Sequence, residues 1–303
     1  MSYDPDALLD RRRLKRRLRI WQGVTILAVV AGVLVFLQST GNLVRGDYIA
    51  RIYVDDIILR DDARSDVLVD LAADDNVRGV IVHIDSPGGS VVGGEDLYKN
   101  ILEIGNNKPV VAVMGTVATS AAYMASIAAD HVLAREGTVT GSIGVIMQTA
   151  NINRLLDDIG VEPVTIKSSD LKATPSPFEP LTEEAREAAR AVVLDMYGFF
   201  VDLVIARRPI PETTVRALAD GRVFSGRQAL ENGLIDAIGN ESDALGWMQA
   251  ERDVPPGLPV ETVRDHREDD SLLEELTGLS GKSLFSNALT LDGLVSLWQP
   301  AAR

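Results

Sequence analysis

The sequence of 303 residues contains no cysteine, which excludes disulfide bonds, thiolate nucleophiles and cysteine-ligated metal sites. It contains three histidines, too few for a histidine-rich metal site, so we expect neither a metal nor another cofactor. Six of its thirty basic side chains are lysines and the others are arginines. Because arginine stays protonated whereas a desolvated lysine can become a base, each of the few lysines is a candidate for chemistry.

The N-terminal residues are basic, whereas the rest of the chain has a negative net charge. Residues 11–19 carry seven basic side chains and no acidic one. The chain after residue 19 has 23 basic and 41 acidic side chains, a formal net charge of −18. An acidic surface repels nucleic acid and anionic lipid, so we expect no nucleic-acid partner.

Residues 20–37 contain no charged side chain. At about 1.5 Å per residue they nearly span a hydrocarbon core of about 30 Å, and they exceed the roughly 7–15 residues of a secretory signal core. No small-residue cleavage site follows. We therefore expect an uncleaved transmembrane anchor, with basic residues 1–19 in the cytoplasm and the rest outside it, at the periplasmic face of an inner membrane. A buried core helix and a cleaved signal are the alternatives.

Strands alternate with helices in the remainder of the chain. Val77–Ile84 and Pro109–Val113 are short β-branched runs, typical of strands covered on both faces, and residues 91–104 between them have a helical pattern. This alternation predicts an α/β domain with a largely parallel sheet over residues 38–264. Residues 265–303 begin as a charged linker and continue as a leucine-rich tail.

Two serines lie where chain direction is expected to change. Ser120 follows the second predicted strand and precedes small, helix-forming residues, so it should stand at a strand-to-helix junction, where unpaired N–H groups can stabilise an anion. Ser142 lies between Gly141 and Gly144 in a bent strand. The alternatives are an N-cap serine and a turn serine.

Gly88 and Gly89 follow the first of these strands, in the stretch Asp85-Ser86-Pro87-Gly88-Gly89-Ser90. Adjacent glycines let the backbone turn sharply and bring its N–H groups close to a ligand, as an oxyanion hole requires. An ordinary turn before a helix is the alternative.

No histidine is well placed for a Ser-His-Asp triad. His83 lies in an apolar strand, His131 follows a helix and His266 lies in the predicted linker. A Ser-Lys pair needs no histidine, because an uncharged lysine can take the serine proton and return it to the leaving amine. Lys167 and Lys172 precede a proline-rich stretch that could cover a cleft, and the surface-lysine alternative stays open for both.

These stretches together resemble the signal peptide peptidase A family of membrane-bound serine proteases, which have a ClpP/crotonase-like fold with repeated ββα units. The resemblance covers about residues 49–239 and is carried by five groups of residues: Asp85-Ser86-Pro87-Gly88-Gly89, Met114-Gly115 with Ala118-Thr119-Ser120 and Tyr123, Thr140-Gly141-Ser142-Ile143-Gly144-Val145, Ile166-Lys167-Ser168 with Lys172, and Ala219-Asp220-Gly221-Arg222-Val223 with Gly226-Arg227-Gln228-Ala229.

The resemblance implies a role for each candidate. Ser120 would be the nucleophile, Lys172 the general base and Ser142 the hydroxyl that orients the lysine, while the backbone of Gly88 and Gly89 would supply the oxyanion donors. It also implies a ring-like homo-oligomer in which the lysine can reach a serine of the neighbouring protomer.

The function implied is a serine endopeptidase that degrades cleaved signal peptides at the extracytoplasmic membrane face. A related Ser-Lys protease acting on membrane-protein tails, a crotonase-type acyl-CoA enzyme and an inactive scaffold are the alternatives. The sequence departs from the family at Ala121-Ala122, where the family usually has Gly-Gly, so we expect two added methyl groups to narrow the substrate pocket.

Overall fold

The computed structural model describes residues 17–33 and 46–263. The chain divides into two compact units, Met1–Asp47 and Tyr48–Arg303. In the first unit, residues 17–33 form helix α1, whose side chains are exposed. Within the described ranges, no helix combines the length and the apolar character needed to cross a membrane. The predicted anchor over residues 20–37 lies partly outside these ranges, and the predicted leucine-rich tail lies wholly outside them.

An eight-stranded sheet forms the centre of the second unit, with strands in the order β6-β5-β3-β2-β1-β8, and with β4 paired to β3 and β7. All pairings are parallel except β5 with β6. The strands are β1 (Tyr48–Ile58), β2 (Val77–Gly89), β3 (Val110–Thr119), β4 (His131–Ala134), β5 (Val139–Gly141), β6 (Val223–Ser225), β7 (Ala237–Ile238) and β8 (Val260–Thr262).

Helices cover both faces of this sheet. One hydrophobic cluster joins residues of β1, β2 and β3 to α2, α3, α4 and α6, and a smaller cluster joins the opposite face to α9. The helices are α2 (Asp62–Ala73), α3 (Val91–Gly105), α4 (Ala121–Ser126), α5 (Asn153–Asp158), α6 (Glu183–Arg207), α7 (Glu212–Leu218), α8 (Gly226–Glu231) and α9 (Glu241–Glu251). The prediction of an α/β domain with a largely parallel sheet is confirmed.

The two predicted strands are longer than their β-branched runs. β2 continues through the Pro87-Gly88-Gly89 turn because that stretch stays paired with the end of β1, and β3 continues to Thr119. By contrast, only Val139–Gly141 of the predicted bent strand around Ser142 is a strand, so Ser142 itself lies just beyond the sheet.

The pairing register shifts at neighbouring positions of three strands, β1, β2 and β3. β1 shifts against β2 between Asp55 and Ile57, and β2 shifts against β3 between Ile84 and Ser86. Asp85 stabilises the β3 side of this irregularity, because its Oδ1 accepts a hydrogen bond from the Val117 amide at 3.0 Å. β3 pairs with β4 before the shift and with β5 after it, so the shift directs the end of β3 away from its first neighbour.

Candidate active site

Ser120 stands between β3 and α4, as predicted, in a backbone conformation that is rare for a residue with a side chain. Its φ is 55° and its ψ is −121°. Its amide donates to the Gly141 carbonyl at 2.9 Å and its carbonyl accepts from the Met124 amide at 2.9 Å. Such a conformation costs on the order of 1–3 kcal/mol and persists where the surroundings enforce it, which is common at functional sites.

Ser120 holds the N-cap position of α4, as the N-cap alternative predicts, but its side chain makes no capping hydrogen bond in this helix. Its hydroxyl is therefore not used to stabilise the helix start. The half-buried side chain stands beside the first N–H groups of α4, which are the donors that a helix leaves without an intrahelical partner.

Gly88 packs directly against Ser120. A Cβ built on Gly88 would lie 2.8 Å from the Ser120 Cβ and 3.0 Å from the Ala121 amide nitrogen, and the φ of Gly88 is +102°. Only glycine fits this position without strain. The structure therefore brings the predicted glycine turn to the predicted nucleophile.

The two glycine amides of this turn differ in their availability. The Gly88 amide already donates to Ser86 Oγ at 3.1 Å. The Ser90 amide donates to the Ile58 carbonyl of β1 at 2.9 Å. The Gly89 amide lies between these two engaged amides. The engaged Gly88 amide is thus the less available of the two predicted oxyanion donors.

Ser142 is joined to Ser120 through one intervening residue. Gly141 precedes Ser142 in the chain, and its carbonyl accepts the Ser120 amide. Ser142 has a φ of 52°, and its own amide donates to the Arg222 carbonyl at 2.8 Å. The side chain of Ser142 is half-buried. The two serines thus lie on neighbouring backbone segments, and both have a positive φ.

The ambiguity between Lys167 and Lys172 is reduced by their contacts. Lys167 forms an ion pair with Glu179, and this hydrogen bond lowers the pKa of the Glu179 carboxyl. Lys172 is exposed, and no hydrogen bond or ion pair of its amine is found within residues 17–33 and 46–263. The other described lysines are also engaged: Lys99 with Glu95, and Lys108 with the carbonyls of Leu71 and Asp74. Lys172 is thus the described lysine whose amine is uncommitted.

In the described part of the single chain, no hydrogen bond joins Lys172 to Ser120. The segment that carries Lys172 is unusually apolar for an exposed surface. Around this lysine, residues 146–181 expose a set of large apolar side chains: Ile146, Leu155, Ile159, Val161, Val164, Ile166, Leu171, Phe178 and Leu181. Large exposed apolar surfaces are typical of interaction sites.

Both described histidines have structural contacts away from Ser120. His83 Nε2 lies 2.6 Å from Glu241 Oε2, and its ring stacks on Tyr53 at a centroid distance of 5.0 Å. His131 stacks on Trp247 at 4.7 Å, and burial lowers its pKa. The strand neighbours of both histidines belong to the cluster that contains α4. Because successive side chains of a strand point to opposite faces, the histidines lie on the other face of the sheet, which α9 covers.

Ala121 and Ala122 are both buried in the core, in the cluster that contains α3 and α4. Gly94 of α3 faces Ala121, and a Cβ added to Gly94 would lie 2.9 Å from the Ala121 Cβ. The methyl group of Ala121 thus packs against a glycine on the neighbouring helix.

A double-mutant cycle should detect this complementarity. Gly94→Ala is expected to lower the free energy of unfolding by about 1–3 kcal/mol because the added methyl overpacks the α3–α4 contact. Ala121→Gly in the same chain removes the opposing methyl, so we expect a favourable coupling energy of about 1 kcal/mol or more. Urea unfolding of the two single variants and the double variant measures it. Simple additivity would show that the two positions do not compensate each other.

Two hydroxyls at the site were not identified from the sequence. Ser86 Oγ accepts the Gly88 amide, and Thr119 Oγ1 donates to the Pro87 carbonyl at 2.9 Å. Both residues lie in the family-like stretches. The Ser86 contact joins residues two apart in the chain, whereas the Thr119 contact depends on the β2–β3 register, which no local pattern reveals.

Two protein-family models match the chain. The model of Peptidase family S49 matches residues 103–255, and that of Clp protease matches residues 51–151. A Synechocystis sp. protein assigned as a protease is 37% identical over 200 residues, covering 66% of this chain and 71% of that protein. A Methanocaldococcus jannaschii protein, also assigned as a protease, is 33% identical over 240 residues, covering 73% and 77%.

A third relative, from Enterococcus faecium, is assigned as a signal peptide peptidase SppA. It is 35% identical over 193 residues, covering 63% of this chain and 56% of the relative. The S49 match spans half of the chain and includes the Ser120, Ser142 and Lys172 stretches. The Clp protease match spans the strands and the glycine turn that lead to Ser120. The chain belongs to Peptidase family S49 and is a protease of the signal peptide peptidase A type.

Proposed function

We propose that the chain is a serine endopeptidase in which Ser120 is the nucleophile and Lys172 the general base. The observation that carries this proposal is the conformation of Ser120, whose hydroxyl is not used for capping and which stands at a helix start against Gly88. The uncommitted amine of Lys172 supports the choice of base, because the amine of Lys167 is paired with Glu179.

In the proposed mechanism, uncharged Lys172 takes the proton of Ser120 Oγ as this oxygen attacks the peptide carbonyl. The oxyanion that forms accepts hydrogen bonds from the Gly89 amide and from the Ala121 amide at the start of α4. Lys172 then gives its proton to the leaving amine, and water hydrolyses the acyl-enzyme by the same route in reverse. Ser142 orients the lysine amine.

This chemistry requires Lys172 to reach a serine in the active assembly. We propose a ring-like homo-oligomer that buries the apolar side chains of residues 146–181 and brings Lys172 to Ser120, either of the same chain or of the neighbouring protomer. Burial would also withdraw the lysine from water, which favours its uncharged form. The exposed apolar segment supports this assembly because it leaves a large hydrophobic surface uncovered in the single chain.

We propose further that residues 20–37 anchor the enzyme in the inner membrane, with the catalytic unit at the extracytoplasmic face, where it degrades cleaved signal peptides. Signal peptides released into a bilayer are rich in small and apolar side chains, so a protease held beside the membrane would meet them directly. The charge-free stretch after seven basic residues supports this topology.

Peptide selectivity tests the proposed substrate. The full chain in detergent is expected to cleave an internally quenched signal-peptide sequence at least tenfold faster, in kcat/KM, than a quenched peptide from the cytoplasmic tail of a membrane protein. The reverse preference would favour the membrane-protein protease. Binding of coenzyme A with no peptide cleavage would favour the acyl-CoA enzyme, and neither activity would favour the scaffold.

A further inference from the structure

One peptide group beside Ser120 is held at both of its ends. The Pro87 carbonyl accepts a hydrogen bond from Thr119 Oγ1 at 2.9 Å, and the Gly88 amide donates to Ser86 Oγ at 3.1 Å. These two groups belong to the same planar peptide bond, in which the carbonyl and the N–H point in opposite directions. The two hydroxyls therefore hold the Pro87–Gly88 peptide plane from opposite sides.

Each hydroxyl is fixed in turn by its surroundings. Ser86 is fully buried, and its Oγ donates to the carbonyl of Asp56, whose left-handed conformation (φ 61°) accompanies the irregularity in β1. The Ser86 hydroxyl hydrogen is thereby engaged with β1, and a lone pair of the same oxygen accepts the hydrogen bond from the Gly88 amide. Thr119 is also buried and is the last residue of β3, immediately before Ser120.

A glycine with positive φ is the position where such restraint has the largest effect. Gly88 has no Cβ, so the peptide planes on either side of it can rotate at little steric cost. A rotation of the Pro87–Gly88 plane would change the direction of the next peptide, which carries the Gly89 amide. The orientation of the proposed oxyanion donor therefore depends on the two hydroxyls.

From this geometry we propose that Ser86 and Thr119 are positioning residues, which hold the Pro87–Gly88 peptide so that the Gly89 amide points to the oxyanion formed at Ser120. The inference rests on the proposed function and extends it. Neither hydroxyl contacts the reacting atoms, so both act through the glycine turn.

Paired substitutions at Thr119 separate hydrogen bonding from packing. Thr119→Val keeps the shape and removes the hydroxyl, whereas Thr119→Ser keeps the hydroxyl and removes a methyl group. With the full chain and a quenched signal peptide, we expect Thr119→Val to lower kcat roughly tenfold to a hundredfold with KM within about twofold, since a misdirected oxyanion donor acts on the transition state. Thr119→Ser should stay within about threefold of the wild type in kcat.

Ser86→Ala is expected to act like Thr119→Val. Ser126→Ala is the matched control, because Ser126 is equally buried and its hydroxyl binds the Ala122 carbonyl within α4 at 2.7 Å. This control should change kcat by less than about twofold. Inhibition by a peptide aldehyde, whose adduct places an oxygen in the oxyanion site, should weaken in Thr119→Val and Ser86→Ala by the factor lost in kcat.

The outcomes distinguish the positioning role from the proposed function. An active wild type with unchanged kcat in Thr119→Val and Ser86→Ala would overturn the positioning role alone. An equal loss in Thr119→Ser and Thr119→Val would also overturn it, because packing would then explain both. A folded wild type that neither cleaves the peptide nor reacts with a fluorophosphonate would overturn the proposed function, and the positioning role with it.

Discussion

Replacement of Ser120 by alanine should lower kcat for peptide hydrolysis by about 10⁴-fold or more, because no other group can form the acyl-enzyme. The fold should survive, since the Ser120 side chain makes no capping hydrogen bond with α4 and the backbone contacts to Gly141 and Met124 are independent of it. Initial rates with a quenched signal peptide, together with a thermal unfolding curve, measure both effects. Turnover above about one per cent of the wild-type rate in a purified Ser120→Ala chain would exclude Ser120 as the nucleophile.

The two lysines provide a matched pair for the second test. Lys172→Ala should lower kcat by about 10²–10⁴-fold, the usual contribution of general base catalysis. Lys167→Ala removes a lysine five positions earlier whose amine is paired with Glu179, so we expect its kcat to stay within about threefold of the wild type. The opposite result, with Lys167→Ala inactive and Lys172→Ala active, would reverse the assignment of the base.

Mixed assemblies extend this test to the origin of the lysine. Ser120→Ala and Lys172→Ala chains are each expected to be inactive alone. If the lysine acts on the neighbouring protomer, co-assembled rings contain sites that combine an intact serine with an intact lysine, and a substantial fraction of activity should return. If both residues act within one chain, mixing should restore nothing. Size-exclusion chromatography of the mixture verifies that the rings have exchanged subunits.

Local patterns predicted the elements that lead to the site. The β-branched runs identified β2 and the start of β3. The change from a β-branched run to small helix formers placed Ser120 at the junction of β3 and α4. These features depend on neighbours a few residues apart, which is why the sequence alone reveals them.

The geometry that makes Ser120 distinctive could not be predicted in the same way. The end of β3 pairs with Val139–Gly141 of β5, and Val117 also donates to Asp85, which lies 32 residues earlier in the chain. The conformation of Ser120 depends on Gly141 in another strand and on the glycine turn of β2. These contacts form only when the register of β2, β3 and β5 is set, so they belong to the tertiary structure.

Side-chain partners likewise distinguish residues that have the same chemistry in the sequence. Lys167 and Lys172 have the same chemistry and neighbouring positions, but the ion pair with Glu179 uses only the first of them. For Ala121, the sequence predicts a narrower pocket, and the fold places its methyl group against Gly94, a residue of the preceding helix.

The central claim is that Ser120 is an activated nucleophile, and covalent labelling tests it most directly. The wild-type chain should react with a fluorophosphonate probe, and mass spectrometry of the digested protein should locate the adduct on Ser120. Labelling should disappear in Ser120→Ala and weaken strongly in Lys172→Ala. A folded, assembled wild type that remains unlabelled, or an adduct on Ser142 or another serine that persists in Ser120→Ala, would contradict the account.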